Sequence, residues 1–190
     1  MAPDANSHDG WFAVYTRHQH EKTVHQELTG KGIESFLPLY TAAHQWKDRV
    51  KRVSLPLIPC YVFIREPLTQ WLPVLTTPGV HSVVTFGGQP ARIPGEEIDA
   101  IRRVVQSHVK AESHPYLRNG DRVRVTAGAL RGLEGILIRK KNWYKLLLSI
   151  EMLQRSVAVE IDVTMVERIK EGPTDSRHDA GGPAVPDTRE

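Results

Sequence analysis

The chain has 190 residues and a mass of 21.4 kDa, room for one compact domain or two small ones. Its 25 lysines and arginines against 22 acidic residues leave a net charge of only +3, but residues 11–170 hold 23 bases and 15 acids, a basic body between acidic ends that suits a polyanionic partner. One cysteine excludes a disulfide framework and a cysteine zinc ribbon, and no apolar run approaches the roughly 18 residues that span a bilayer; with a polar start unlike a secretion signal, a soluble cytoplasmic protein with no membrane contact is expected.

Residues 1–10 and 171–190 have almost nothing to bury, and both ends are expected to be disordered. Between them, WFAVYTR at 11–17 reads as a strand. Residues 20–31 read as a helix, with Val24 and Leu28 one turn apart and glycines near its end. Glu34 to Tyr40 is a second strand, residues 41–56 a polar, basic excursion, and Pro59 to Arg65 a third strand. Pro67 opens a short helix containing Leu68, Trp71, Leu72 and Leu75, and Val80 to Phe86 is a fourth strand. Pro94 starts a helix with Glu96 and Glu97 in its first turn and apolar positions at Ile98, Ile101, Val105 and Val109. This makes residues 11–110 an α/β domain. The polar stretch 111–119, interrupted by Pro115, reads as a linker, and residues 120–170 hold five short strand-like runs separated by glycines, the pattern of a small β-barrel.

Four features bear on function. The first and third strands are apolar at both parities, so their second face needs a cover: either another helix, or a partner docking on the aromatic set Trp11, Tyr15 and Tyr61. The run Trp46 to Arg52 places Lys47, Arg49, Lys51 and Arg52 on a hairpin tip, suited to phosphate contact or simply to solubility. Arg139 to Lys145 interleaves bases with Trp143 and Tyr144, as an RNA contact or as a solvated turn. Gly120, Asp121, Val123, Gly128, Gly132 and Gly135 form a spaced glycine pattern in which Gly132 and Gly135 bracket a loop needing positive φ or close backbone approach. Catalytic constellations are missing. His18, His20 and His25 lack a surrounding trio of carboxylate or cysteine ligands in the sequence, and Cys60 lies in an apolar strand without a nearby base. The expectation is no enzyme, no cofactor and no metal.

Taken together, WFAVYTR at 11–17, FLPLY at 36–40, IPCYVFI at 58–64, TPGVHSVV at 77–84, PARIP ending at Pro94 and GDRVRV…G…LRGLEG at 120–135 resemble the NusG family of transcription factors, in particular its specialised RfaH-like and UpxY-like branch. The resemblance implies an α+β chain: an α/β sandwich on a four-stranded antiparallel sheet, followed by an SH3-like five-stranded β-barrel carrying the KOW motif. It also implies that the first domain docks on the clamp helices of the largest RNA polymerase subunit through Tyr15, Ile58 and Tyr61. Gln70 and Trp71 would lie near the opposite pincer, and Lys47, Arg49, Lys51 and Arg52 near upstream or non-template DNA. The barrel would recruit a small-subunit ribosomal protein or Rho, and the factor would act as a monomer. Two departures are visible: Cys60 stands where the family has glycine or a small polar residue, and Ile58 replaces an aromatic residue. A general RNA-binding or ribosome-associated KOW module is the alternative.

Overall fold

A computed structural model of the chain describes residues 10–46, 49–65, 71–117, 120–140 and 143–169. The expectations of disorder at both ends concern residues that, Gly10 excepted, lie outside these. In chain order the elements are β1 (Trp11–Thr16), α1 (Glu21–Gly30), β2 (Ser35–Phe36), β3 (Leu39–Trp46), β4 (Arg49–Pro56), β5 (Tyr61–Arg65), α2 (Leu72–Leu75), β6 (Val80–Val83), β7 (Thr85–Phe86), β8 (Gln89–Pro90), β9 (Arg92–Ile93) and α3 (Gly95–Ser107). The second half adds β10 (Ala111–Pro115), β11 (Asp121–Val125), β12 (Glu134–Lys140), β13 (Trp143–Ile150), β14 (Arg155–Ile161) and β15 (Val166–Arg168).

The N-terminal sheet runs β2-β5-β1-β6, antiparallel throughout, with β9 also pairing β1. Strict side-chain alternation along β1 sends Phe12 and Val14 to one face and Trp11 and Ala13 to the other. The first face joins Val62 and Ile64 of β5, Val24 and Leu28 of α1, and Val74 of α2 in one cluster. Lys31 fastens the end of α1 to α2, its Nζ donating to the Pro73 carbonyl at 2.9 Å and the Thr77 hydroxyl at 2.7 Å. The second face meets Ile93 and the stripe Ile98, Ile101 and Val104 of α3, spaced for one helical face. Both faces of the sheet are therefore covered by helices along most of its length, which is why β1 and β5 are apolar at both parities.

Residues 41–56 are organised rather than irregular: β3 and β4 pair from Leu39↔Pro56 to Trp46↔Arg49, an antiparallel hairpin of eight residue pairs separate from the main sheet. Lys22 of α1 anchors its base by donating to the Ser54 carbonyl at 2.7 Å.

The C-terminal half is an antiparallel β domain of order β10-β14-β13-β12-β11-β15. The five expected strands are β11 to β15. The sixth corrects the reading of residues 111–119 as a linker: Ala111–Pro115 pairs with β14 from Ala111↔Val159 to Pro115↔Arg155. Two physical reasons account for it. Proline is tolerated at the end of an edge strand, where no ladder hydrogen bond is lost. Glu112 also supplies the partner of a buried cation, accepting from Lys145 Nζ at 2.5 Å, while Lys145 is only 7 % exposed.

The two halves share one core. The cluster containing Trp11, Phe63, Ile98 and Ile101 continues into Val123, Leu146, Ile150 and Val157 of the β domain. Arg103 of α3 donates to the Arg131 carbonyl at 2.6 Å, and the Glu97 carboxylate accepts a backbone N–H from Glu151.

Candidate functional site

At one end of the N-terminal sheet the helical cover runs out. Tyr15 is the single exposed position in an otherwise buried β1, because it points to the α3 side of the sheet beyond the reach of that helix. Tyr61, directly opposite in register on β5, is half-buried, and the two rings lie 5.4 Å apart at a tilt of 50°. His81 of β6 adds an edge contact to Tyr15 at 5.5 Å. Stacked and tilted aromatic pairs at such distances bury large ring area while leaving the hydroxyl accessible, the character of an interface anchor.

The loop before β5 fixes this pair. Cys60 takes a left-handed backbone, φ +66°, a conformation that favours glycine. Its N–H donates to Glu21 Oε1 at 2.9 Å, and its carbonyl accepts from the Thr16 N–H at 2.9 Å. Burial raises the Cys60 thiol above its usual pKa, Glu21 raises it further, and Arg155 opposes them. Burial also raises the Tyr61 phenol, again against the pull of Arg155. Arg155 opens β14, so the β domain places a positive charge near Cys60 and Tyr61.

The remaining expected site residues distribute unevenly. Trp11 does not belong to the exposed set: it is 2 % exposed, packs edge-on against Phe36 at 6.4 Å and lies beneath Arg102, so its ring is core. The alternating pattern could not separate it from Tyr15, because both lie on the same face and only the length of α3 distinguishes them. Ile58 is 1 % exposed and belongs to the core shared by the two halves. Trp71 is half-buried and packs perpendicular to Phe12 at 5.1 Å. Gln70 and Lys47 lie outside the described residues. Arg49 and Lys51 lie on β4 beside the exposed Arg52, toward the end of the long hairpin.

In the β domain, Gly120, Gly128 and Gly132 have positive φ, and Asp121 pairs with Arg168 at 2.8 Å. Val123 is buried. Gly135 satisfies the other expectation, close approach: a Cβ there would run into the Leu147 carbonyl and the Leu146 side chain. Trp143 is 67 % exposed, beside Tyr144, over whose ring Arg139 lies at 6.0 Å.

The three N-terminal histidines do not converge. His25 bonds the Ser35 hydroxyl at 2.8 Å and is held below its usual pKa by burial, while His20 Nδ1 faces the His18 carbonyl at 3.1 Å. His18 instead approaches Cys60 and Glu21. That neighbourhood was illegible in the sequence, because its members come from three separate segments. Among the described residues, no helix is long and apolar enough to cross a membrane.

An α/β sandwich followed by a β domain with this glycine pattern defines a two-domain architecture with known relatives. Residues 9–102 match the family described as "Transcription termination factor nusG". The "Transcription termination/antitermination protein NusG" of Lactococcus lactis is 29 % identical over 175 residues, covering 85 % of this chain and 94 % of that protein. Its counterpart in Halalkalibacterium halodurans is 25 % identical over 177 residues, covering 84 % and 98 %. Among solved structures, one titled "Domain interaction in Thermotoga maritima NusG" superposes with a TM-score of 0.54 at 21 % identity, covering 85 % of this chain and 98 % of that one, which shows a common fold. Residues 9–102 are a NusG family domain, and the chain as a whole has an α+β fold consistent with a NusG N-terminal domain followed by a KOW β domain.

Proposed function

We propose that this chain is a transcription elongation and antitermination factor that docks on the clamp helices of the largest RNA polymerase subunit, bridges the DNA cleft and suppresses pausing or termination. The observation that carries this reading is the Tyr15–Tyr61 pair, an aromatic surface left at the end of a sheet whose faces are elsewhere covered. The NusG family domain at residues 9–102 and the names of the relatives agree with it. The factor needs no chemistry of its own. It shifts the polymerase toward a closed clamp only as far as its affinity for that state exceeds its affinity for the open one.

The exposed parts of both tyrosines form the anchor, while Ile58 is buried in the shared core. Docking that engages Ile58 requires the β domain to part from α3, because the shared core leaves Ile58 no surface. The β3–β4 hairpin, with Arg49, Lys51 and Arg52, then tracks upstream or non-template DNA, and the freed β domain takes a small-subunit ribosomal protein or Rho. The specialised, RfaH-like mode of action and a monomeric state belong to the same proposal.

The test uses purified RNA polymerase and the full chain. Tyr61→Ala should weaken binding by about 2 kcal/mol, roughly 30-fold, and abolish any effect on paused or terminator templates while the protein stays folded. Unchanged retention by the polymerase counts against the site. The alternative, an RNA-binding KOW module, draws on the exposed Trp143 beside Arg139. Glu160 and Asp162 line the same hollow as Trp143 and oppose a polyanion there. RNA affinity that falls when Trp143 is replaced and ignores Tyr61 would favour it.

A further inference from the structure

We propose that His18, Glu21 and Cys60 form a binding site for a divalent cation of the zinc class, beside the tyrosine pair. The three residues come from the turn after β1, the first residue of α1 and the loop before β5, and the fold brings them together. One ligand atom from each, imidazole nitrogen, carboxylate oxygen and thiol sulfur, lies within 4.8 Å of the other two. Cys60 Sγ and His18 Nδ1 are 3.9 Å apart. A tetrahedral zinc with bonds of about 2.0–2.3 Å holds its ligand atoms about 3.4–3.7 Å from one another, so small side-chain rotations close the site.

Further observations point to this cluster rather than to a chance meeting of polar groups. Cys60 keeps a side chain at φ +66°, where any residue but glycine carries strain, and residues held in such conformations concentrate at ligand sites. The strain is locked in from both sides, by the Glu21 carboxylate on its N–H and the Thr16 amide on its carbonyl. Glu21 is a carboxylate only 4 % exposed, aimed into the same loop. Among the described residues this is the one group of three such ligands in mutual reach. The donor set, one sulfur, one nitrogen and one oxygen, suits zinc better than the hard cations, which take oxygen alone.

Binding balances simply. The Cys60 S–H bond breaks, its proton leaves to solvent and a sulfur–metal bond forms; Glu21 binds as the carboxylate and His18 as the neutral imidazole. Two negative ligands offset the two positive charges, and no electron is transferred. His18 is exposed, which leaves the fourth position to water. Because Cys60 immediately precedes Tyr61, the ion would pin the loop that presents that ring. The site does not depend on what the tyrosines dock against.

Cobalt(II) titrated into the purified, metal-free full chain tests it. The expected result is saturation at one equivalent with a Kd of about 1 μM or tighter, a thiolate-to-cobalt charge-transfer band, displacement of that band by zinc, and a rise in Tm with zinc. Cys60→Gly removes the sulfur while suiting the left-handed backbone, so it should fold at least as well as the parent, lose the band and weaken binding about 100-fold or more, beyond what removing a group that merely orients a ligand causes. His25→Ala, outside the cluster, should bind as the parent does. Absence of saturable binding, a cobalt spectrum without the thiolate band, or equal affinity in Cys60→Gly would overturn the proposal.

Discussion

Gly132 and Gly135 lie three residues apart in one motif, yet each is glycine for a different reason. Gly132 has φ +85° and open space around its α-carbon, so only backbone strain bars a side chain. Gly135 has no such φ; it sits in β12 beside its antiparallel neighbour β13, with the Leu147 carbonyl against it. Backbone cannot yield as a flexible side chain can. Gly135→Ala is therefore expected to destabilise the β domain by about 3 kcal/mol through overpacking, and Gly132→Ala by about 1–2 kcal/mol through the left-handed penalty alone; urea denaturation of the two variants separates them. The sequence pattern announced that both positions were constrained. Which constraint applied depended on the neighbouring strand.

Among the elements, the β3–β4 hairpin shows how a charged, weakly apolar stretch still becomes regular. Residues 41–56 offered no hydrophobic period to read, but eight facing residue pairs complete a two-stranded ladder whose base is tied to α1 by Lys22. A two-stranded ribbon standing off the main sheet suits contact with a polyanion. Replacing Arg49, Lys51 and Arg52 with glutamine should weaken DNA binding across sequences alike and flatten the plot of log affinity against log salt by about 0.9 for each phosphate no longer neutralised. A slope unchanged in the triple variant would detach the hairpin from DNA. Residues 111–115 teach the complementary lesson: their polarity and Pro115 read as a linker, yet pairing with β14 and the Glu112–Lys145 ion pair make them a strand. Edge strands need alternation less than central ones do, since one side of the ladder and much of the surface stay wet.

The molecule as a whole is held closed by a seam that carries an electrostatic cost. Glu97 of α3 faces Glu151 of the β domain. One Glu97 oxygen accepts the Glu151 N–H, while Oε2 is buried without a hydrogen-bond partner among the described residues. Burial, chiefly, and the Glu151 charge raise the Glu97 pKa above the usual carboxylate range, only partly offset by that N–H. The folded state thus holds this proton more tightly than the unfolded chain. Its stabilising contribution is present below the unfolded carboxylate pKa and is lost as pH rises through the raised folded value. Glu97→Gln removes the cost, so the variant should be more stable than the parent at about pH 7, with the gap narrowing toward about pH 4, by denaturation in urea. A gap independent of pH would show that Glu97 acts through packing and not through its charge.

Apart from β3, β4 and β10, local chemistry written along the chain was enough to define the main strands and helices of both halves, the glycine motif of the β domain and the resemblance to NusG proteins. Those features rest on periodicity, turn residues and spacing, which neighbours in sequence express without help from distant ones. Three matters were settled only by folding: that Trp11 is core while Tyr15, four residues on in the same face, is surface; that residues 111–115 complete a sheet; and that His18, Glu21 and Cys60 meet. Each depends on where one element ends against another, a long-range distance that no local pattern encodes.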